Sequence, residues 1–196
     1  MKSKTRIFSL ILTLVLVLTS NLASAQSGKP KVQDVAVTQL PEKEKLNKDS
    51  LVSPRIPMNL DHQKYLLDLC NRKDLDYVKI LAIIKNESGF NPNAVGKNTY
   101  GYMQIHKMHH ANFAKNHKTE LKPLDPYINL NWGTSMLENL YRSLEKEGFT
   151  GEALDRAVLS SYAKGYYGFK KTGEASWFIN RVREHSNWID RQYGNK

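Results

Sequence analysis

Asp76-Tyr77-Val78-Lys79-Ile80-Leu81-Ala82-Ile83-Ile84-Lys85-Asn86-Glu87-Ser88-Gly89 carries both ends of a helix within fourteen residues. Asp76 can accept hydrogen bonds from the free N–H groups of the first turn. Tyr77, Ile80, Leu81, Ile83 and Ile84 recur at helical spacing, Gly89 is a natural stop, and Pro92 prevents continuation. Glu87 follows Ile80, Ile83 and Ile84 by seven, four and three positions, so it shares the face that points to the core. It also lies in the last turn, where its charge meets the negative end of the helix dipole. Both placements disfavour the ionised carboxylate and raise its pKa, which a general acid near neutral pH requires. On this geometry alone the bland alternative is favoured, since a Glu at a helix end more often turns outward into water or pairs with a lysine.

Helical periodicity continues on either side. Asp61 is placed to cap a helix carrying Tyr65, Leu66, Leu69 and Cys70, and a further helix runs through Met108 to Phe113. Asp125-Pro126 opens a long one through Trp132, Met136, Leu137, Leu140 and Leu144 that ends near Gly148. Thr150 caps the next, with Leu154, Ala157, Val158, Ser161 and Tyr162 in phase, and the last contains Trp177, Phe178, Val182, Trp188 and Ile189. Between them, Tyr100, Tyr102 and Gln104 alternate with Gly101, Met103 and Ile105, the pattern of a short hairpin. The class is mainly α with a small β element. Residues 59–196 are long enough to enclose one core.

The start of the chain reads as an export signal. Lys2, Lys4 and Arg6 precede an apolar run from Ile7 to Leu18, and Ala23-Ser24-Ala25 forms an A-x-A cleavage site, which predicts a signal peptide over 1–25. The run is shorter than the roughly 17 to 25 residues that span a bilayer, so stable insertion after cleavage is not expected. Residues 26–58 hold Pro30, Pro41, Pro54 and Pro57 and the run Glu42-Lys43-Glu44-Lys45 without periodicity, and read as a linker. The expected location is extracellular, in the cell wall or in the periplasm.

Composition excludes several classes. The chain has 29 Lys+Arg against 19 Asp+Glu, and without residues 1–25, which hold three bases and no acid, the balance is 26 against 19, a net +7. That charge is scattered, and export argues against nucleic acid; anionic wall polymers are the better counter-charge. The single Cys70 can neither close an intrachain disulfide nor build a cysteine zinc site. His106, His109 and His110 invite a metal reading, but without a nearby Cys or carboxylate they fit a solvated polar face. No cofactor-binding motif is present, and a monomer without metal or cofactor is expected.

Glu87-Ser88-Gly89-Phe90-Asn91-Pro92-Asn93-Ala94, followed by Gly101-Tyr102-Met103-Gln104-Ile105, resembles the first two motifs of the soluble-lytic-transglycosylase (goose-lysozyme-like) family. Two further matches follow in order: Asp125-Pro126-Tyr127-Ile128-Asn129-Leu130-Asn131-Trp132-Gly133 at the start of a long helix, and Ser161-Tyr162-Ala163-Lys164-Gly165, similar to the family's Tyr-Asn-x-Gly element. The resemblance implies a lysozyme-like α+β catalytic domain over 59–196 acting on peptidoglycan glycan strands. It implies cleavage between N-acetylmuramic acid and N-acetylglucosamine, with one Glu as acid and then base and the sugar's own 6-hydroxyl closing a 1,6-anhydro ring.

By motif position the resemblance makes Glu87 the catalytic acid/base and Ser88 its neighbour contacting substrate. Met103 and Gln104 would line the cleft, Gln104 hydrogen bonding to sugar or N-acetyl groups, and Tyr162 would hold a hydroxyl near the carboxyl. Asn129 reads as a helix-face or loop-anchoring residue. Ala163 stands where the family usually has Asn, and that amide either supports the loop or contacts substrate; the retention of Glu87, Gln104 and Tyr162 favours the first. A hydrolase on the same fold and an inactive wall-binding module are the other readings.

Overall fold

The computed structural model describes residues 51–193. Among them lie seven helices: α1 (Leu60–Lys73), α2 (Tyr77–Ser88), α3 (Lys107–His117), α4 (Pro126–Lys146), α5 (Gly151–Lys164), α6 (Tyr166–Thr172) and α7 (Ser176–Gln192). One antiparallel hairpin pairs β1 (Thr99–Tyr100) with β2 (Ile105–His106), in the register Thr99 to His106 and Tyr100 to Ile105. The expected mainly α class with a small hairpin is what the chain forms.

The ends of α2 are as its sequence implies. Asp76 Oδ1 accepts from Lys79 N at 3.0 Å, and Gly89, at φ 59°, closes the helix by donating to Lys85 O. Asp125 likewise caps α4 through Ile128 N at 2.9 Å, with Pro126 in the first turn. Two expected caps differ. Asn59, not Asp61, caps α1, its Oδ1 accepting from Asp61 N and His62 N. Thr150 stands at the start of α5, but its hydroxyl makes no capping bond. Helix α6 was not foreseen, because Gly165, Gly168 and Gly173 interrupt its pattern; buried Phe169 anchors it.

At the centre is α2, with Ile80, Leu81, Ala82, Ile83 and Ile84 all at most 1% exposed. A helix apolar around most of its circumference belongs inside, and each large side chain so buried stabilises the fold by roughly 1.5–3 kcal/mol. Helix α7 packs along α2, where Phe90 meets Trp188 and Lys85 Nζ lies 4.1 Å from the Trp188 ring centroid. Helix α4 packs on α1 and α5. A polar tie joins three helices: Lys79 Nζ and the Tyr141 hydroxyl both donate to Asp155 Oδ1, at 2.7 and 2.6 Å.

The expected linker ends earlier than its prolines suggest. Residues 1–25 and the linker as far as residue 50 lie outside the described residues, but 51–58 pack against the body. Ile56 and Met58 are core residues, and the fully buried Gln63 accepts from Ser53 N at 3.0 Å and donates to Ser53 O at 3.1 Å and Met58 O at 2.7 Å. An irregular segment held by one amide has no periodicity to betray it. Among the described residues no helix is long and apolar enough to cross a membrane.

One histidine also differs from expectation. His110 is buried, with Nε2 donating to Ile105 O at 2.9 Å and its ring against Tyr100 and Trp132. His106 Nδ1 accepts from Met108 N at the start of α3. Only His110 departs from the expected solvated face; His106 and His109 are half-buried at the cleft. Among the described residues no group of three His, Cys, Asp or Glu side chains could hold a metal ion.

Candidate active site

The turn Gly101–Gln104 is bound to α4 from below. Asn129, fully buried, accepts from Met103 N at 2.9 Å and donates to Tyr100 O at 2.8 Å and Pro123 O at 2.9 Å, which uses both of its amide hydrogens. Gly101 has φ 77°, and a Cβ there would lie 2.4 Å from Asn129 Nδ2, so the turn needs glycine for both backbone and space. At Gly133 the same test places a Cβ 2.2 Å from Met103 Sδ, and the missing side chain lets the hairpin settle on α4. Met103 is consequently 1% exposed and packs in the core, away from the cleft that the family position implied for it.

Gln104 takes a left-handed backbone at φ 46°, a conformation that costs a non-glycine residue on the order of 1–3 kcal/mol. Its own side chain holds it there. Nε2 donates to Ala94 O at 3.1 Å and Gly101 O at 2.9 Å, and Oε1 accepts from the Thr99 hydroxyl at 2.6 Å. Both donors are spent on the hairpin, so what Gln104 can still offer a ligand is a lone pair of Oε1.

Glu87, Gln104 and Tyr162 line one cleft of about 590 Å³, together with side chains from α3, α4, α6 and the start of α7. Glu87 is half-buried in its wall. Burial pushes the carboxyl above the usual range for glutamic acid; the 3.3 Å contact from Asn86 Nδ2 to Oε1 opposes this. The Tyr162 hydroxyl donates to Met103 O at 2.6 Å, and its ring stacks on Phe178 at 6.0 Å. Burial first, and the charge of Glu87 second, hold that phenol well above its ordinary pKa, so it stays neutral. Tyr162 thus ties α5 to the hairpin close to Glu87. Ser88 is not among the residues lining the cleft: its hydroxyl turns back to donate to Ile84 O at 3.1 Å.

Among the described residues Glu87 is the only acid lining this cleft. A half-buried acid in a cleft, beside a neutral phenol and without a second carboxylate, can give a proton to a bound oxygen and then take one back.

The family model for the transglycosylase SLT domain matches residues 66–176. The chain belongs to this family. No curated protein matches it. SLT-domain enzymes are peptidoglycan lytic transglycosylases, lyases acting on glycosidic bonds, so this protein is an enzyme of that class and peptidoglycan is what its SLT domain binds. Seven helices with one small hairpin are the lysozyme-like architecture such a domain has.

The raised Glu87 pKa gives the SLT domain a pH signature. Protonation is favoured in the folded state, so the stabilising contribution is present at low pH and is lost as pH rises through the folded-state pKa. At neutral pH the partly desolvated carboxylate is a net penalty that the unfolded chain lacks. Glu87→Gln is therefore expected to raise the melting temperature at pH 8, with a gain that shrinks toward zero below the ordinary glutamic acid pKa. Calorimetry of both proteins at pH 4 and pH 8 measures it; a gain equal at both would mean Glu87 is not desolvated.

Sequence reading missed the cleft residues contributed by α6 and α7. Trp177 and Phe178 are neighbours on a helix with one buried face, about 100° apart around its axis, and Phe178, in phase with Val182 and Ile189, takes the buried side while Trp177 is left outside.

Proposed function

We propose that the protein cleaves the bond between N-acetylmuramic acid and N-acetylglucosamine in peptidoglycan, with Glu87 as the single acid/base and 1,6-anhydro-muramic acid as the new chain end. The observation that carries this is the solitary carboxylate in the cleft. Two-carboxylate glycosidases set the second group about 5–5.5 Å or 6.5–9.5 Å away to act as nucleophile or to activate water. Here Glu87 lacks such a partner among the described residues lining the cleft, and a nucleophile supplied by the substrate removes the need for one. Glu87 starts protonated, gives its proton to the leaving oxygen, and as carboxylate accepts the proton of the 6-hydroxyl while that oxygen bonds to the anomeric carbon. Tyr162 keeps the hairpin fixed against α5 during both transfers.

Mass spectrometry of fragments released from purified wall tests this. Anhydro ends, one water lighter than reducing ends, support it; free reducing ends would show water as the nucleophile, and no release would show a binding module. The proposal includes export, supported by the charged start, apolar run and Ala23-Ser24-Ala25 site, because its substrate lies outside the cytoplasmic membrane.

Ala163 lines the cleft, while α5 continues through Lys164 and ends at Gly165, as a residue of good helix propensity allows. This position favours the substrate-contact alternative over the loop-supporting one preferred from the sequence, since an amide introduced at 163 would enter the cleft. We expect Ala163→Asn to raise kcat/KM on wall fragments by about two- to tenfold, the range of one ordinary hydrogen bond. A larger gain would show that the native site is impaired.

A further inference from the structure

The cleft holds an exposed aromatic that proton transfer at Glu87 does not use. Trp177 lies in the first turn of α7, one residue beyond the family-matched span, and is 61% exposed while lining the cleft. Its neighbour Phe178 is 1% exposed and stacks on Tyr162. The Trp177 ring meets Phe178 edge to face at 5.5 Å and 80°. A series of rings thus runs from Tyr162, near Glu87, through buried Phe178 to the open indole.

The backbone that presents Trp177 is fixed from α5. The Ser160 hydroxyl accepts from Ala175 N at 2.9 Å, Lys164 Nζ donates to Gly173 O at 2.6 Å, and Arg156 Nε donates to Glu174 Oε1 at 2.9 Å. Three bonds hold the segment just before the indole, so little backbone order is left to be imposed by a ligand. The other large aromatic groups of the cleft are committed: Tyr162 to Met103 O, Tyr166 to Glu147 at 2.6 Å, and Phe178 to the core. Met108 of α3, 70% exposed, adds a second exposed apolar side chain to the same cleft.

We propose that Trp177 is a stacking platform for one sugar ring of the glycan strand, a binding position additional to the one at Glu87. Pyranose rings present a face of C–H groups bounded by hydroxyls, which matches a flat indole whose face carries negative quadrupole charge. An exposed aromatic continuous with a catalytic cleft regains its hydrophobic stabilisation when such a face covers it. This rests on reading the cleft as the glycan channel. The position would favour strands long enough to reach from Glu87 to Trp177 over shorter ones.

Binding, which needs no turnover, tests it. Peptide-free peptidoglycan glycan strands are titrated into Glu87→Gln protein while tryptophan emission and acrylamide quenching are followed. Trp132 is fully buried and Trp188 half-buried, so a change on binding reports mainly Trp177. We expect a shift to shorter wavelength, loss of quenching, and affinity at least about tenfold weaker in Glu87→Gln/Trp177→Ala. Trp177→Phe in the same background should recover most of the affinity without the spectral shift. Unchanged affinity in the alanine variant, absence of any shift with strands, or a loss seen only with peptide-bearing strands would overturn the proposal, the last by assigning Trp177 to the stem peptide. Failure of the Glu87 assignment would show separately, as retained turnover in Glu87→Gln.

Discussion

Glu87→Gln is expected to lose at least about 100-fold of wall-cleaving activity while remaining folded, because the amide keeps the shape of the side chain but has no proton to give the leaving oxygen. The cleft contains no other acid among its described lining residues that could take over the transfer. Tyr162 cannot substitute, since its hydroxyl hydrogen is directed to Met103 O and its pKa is held far above neutrality. The variant should bind glycan at least as tightly as the native enzyme, since a neutral group in a desolvated wall no longer opposes ligand burial. Clearing of suspended wall measures the first expectation and sedimentation with wall the second. Near-native clearing would remove Glu87 from the mechanism; weakened binding would make it a structural residue.

The second large effect belongs to a residue that touches no substrate in this account. Asn129→Leu is expected to destabilise the protein by about 3–5 kcal/mol. It strips partners from the buried Met103 N–H and from the part-buried Tyr100 O and Pro123 O, and a polar group left without one costs up to about 1–3 kcal/mol where water cannot reach it. Against a typical total of about 5–15 kcal/mol that is a large fraction. Activity should fall as well, at temperatures where the variant is still folded, because the same turn sets the backbone of Gln104 and aims Met103 O at Tyr162. Urea denaturation gives the stability term. A midpoint corresponding to less than about 1 kcal/mol of loss would mean that the turn holds its shape without Asn129.

Helices and acid could be read from the chain because both follow from local rules. Spacing of three and four positions places Glu87 on the Ile80, Ile83 and Ile84 face, and Asp76, Gly89 and Asp125 each mark an end that the fold uses. The hairpin was equally visible in the alternation around Gly101. Less legible were contacts made by one polar side chain across a large sequence gap. Nothing in the neighbourhood of Gln63 announces that it fastens residues 53–58, and motif position gave Met103 a role that Gly133, thirty positions later, excludes by letting the side chain sink. Ser88 and Gln104 carry polar groups suited to sugars, but their geometry spends most of that capacity inside the protein. Periodicity reports which face is buried; it is silent on which partner satisfies a hydrogen bond.

The packing of α7 along α2 and the Gln63 clamp lead us to expect that a stable piece of this chain must extend beyond the span shared with the family. That span begins at Leu66, inside α1, and ends at Ser176, the first residue of α7, so it leaves out nearly all of the helix that covers the one bearing Glu87 and the amide that secures the entry to α1. A fragment trimmed to that span would keep all four motifs and lose the walls that desolvate the acid among them. The unit of resemblance is then smaller than the unit expected to fold cooperatively, and the difference is made of residues that take no part in the proton transfers at Glu87.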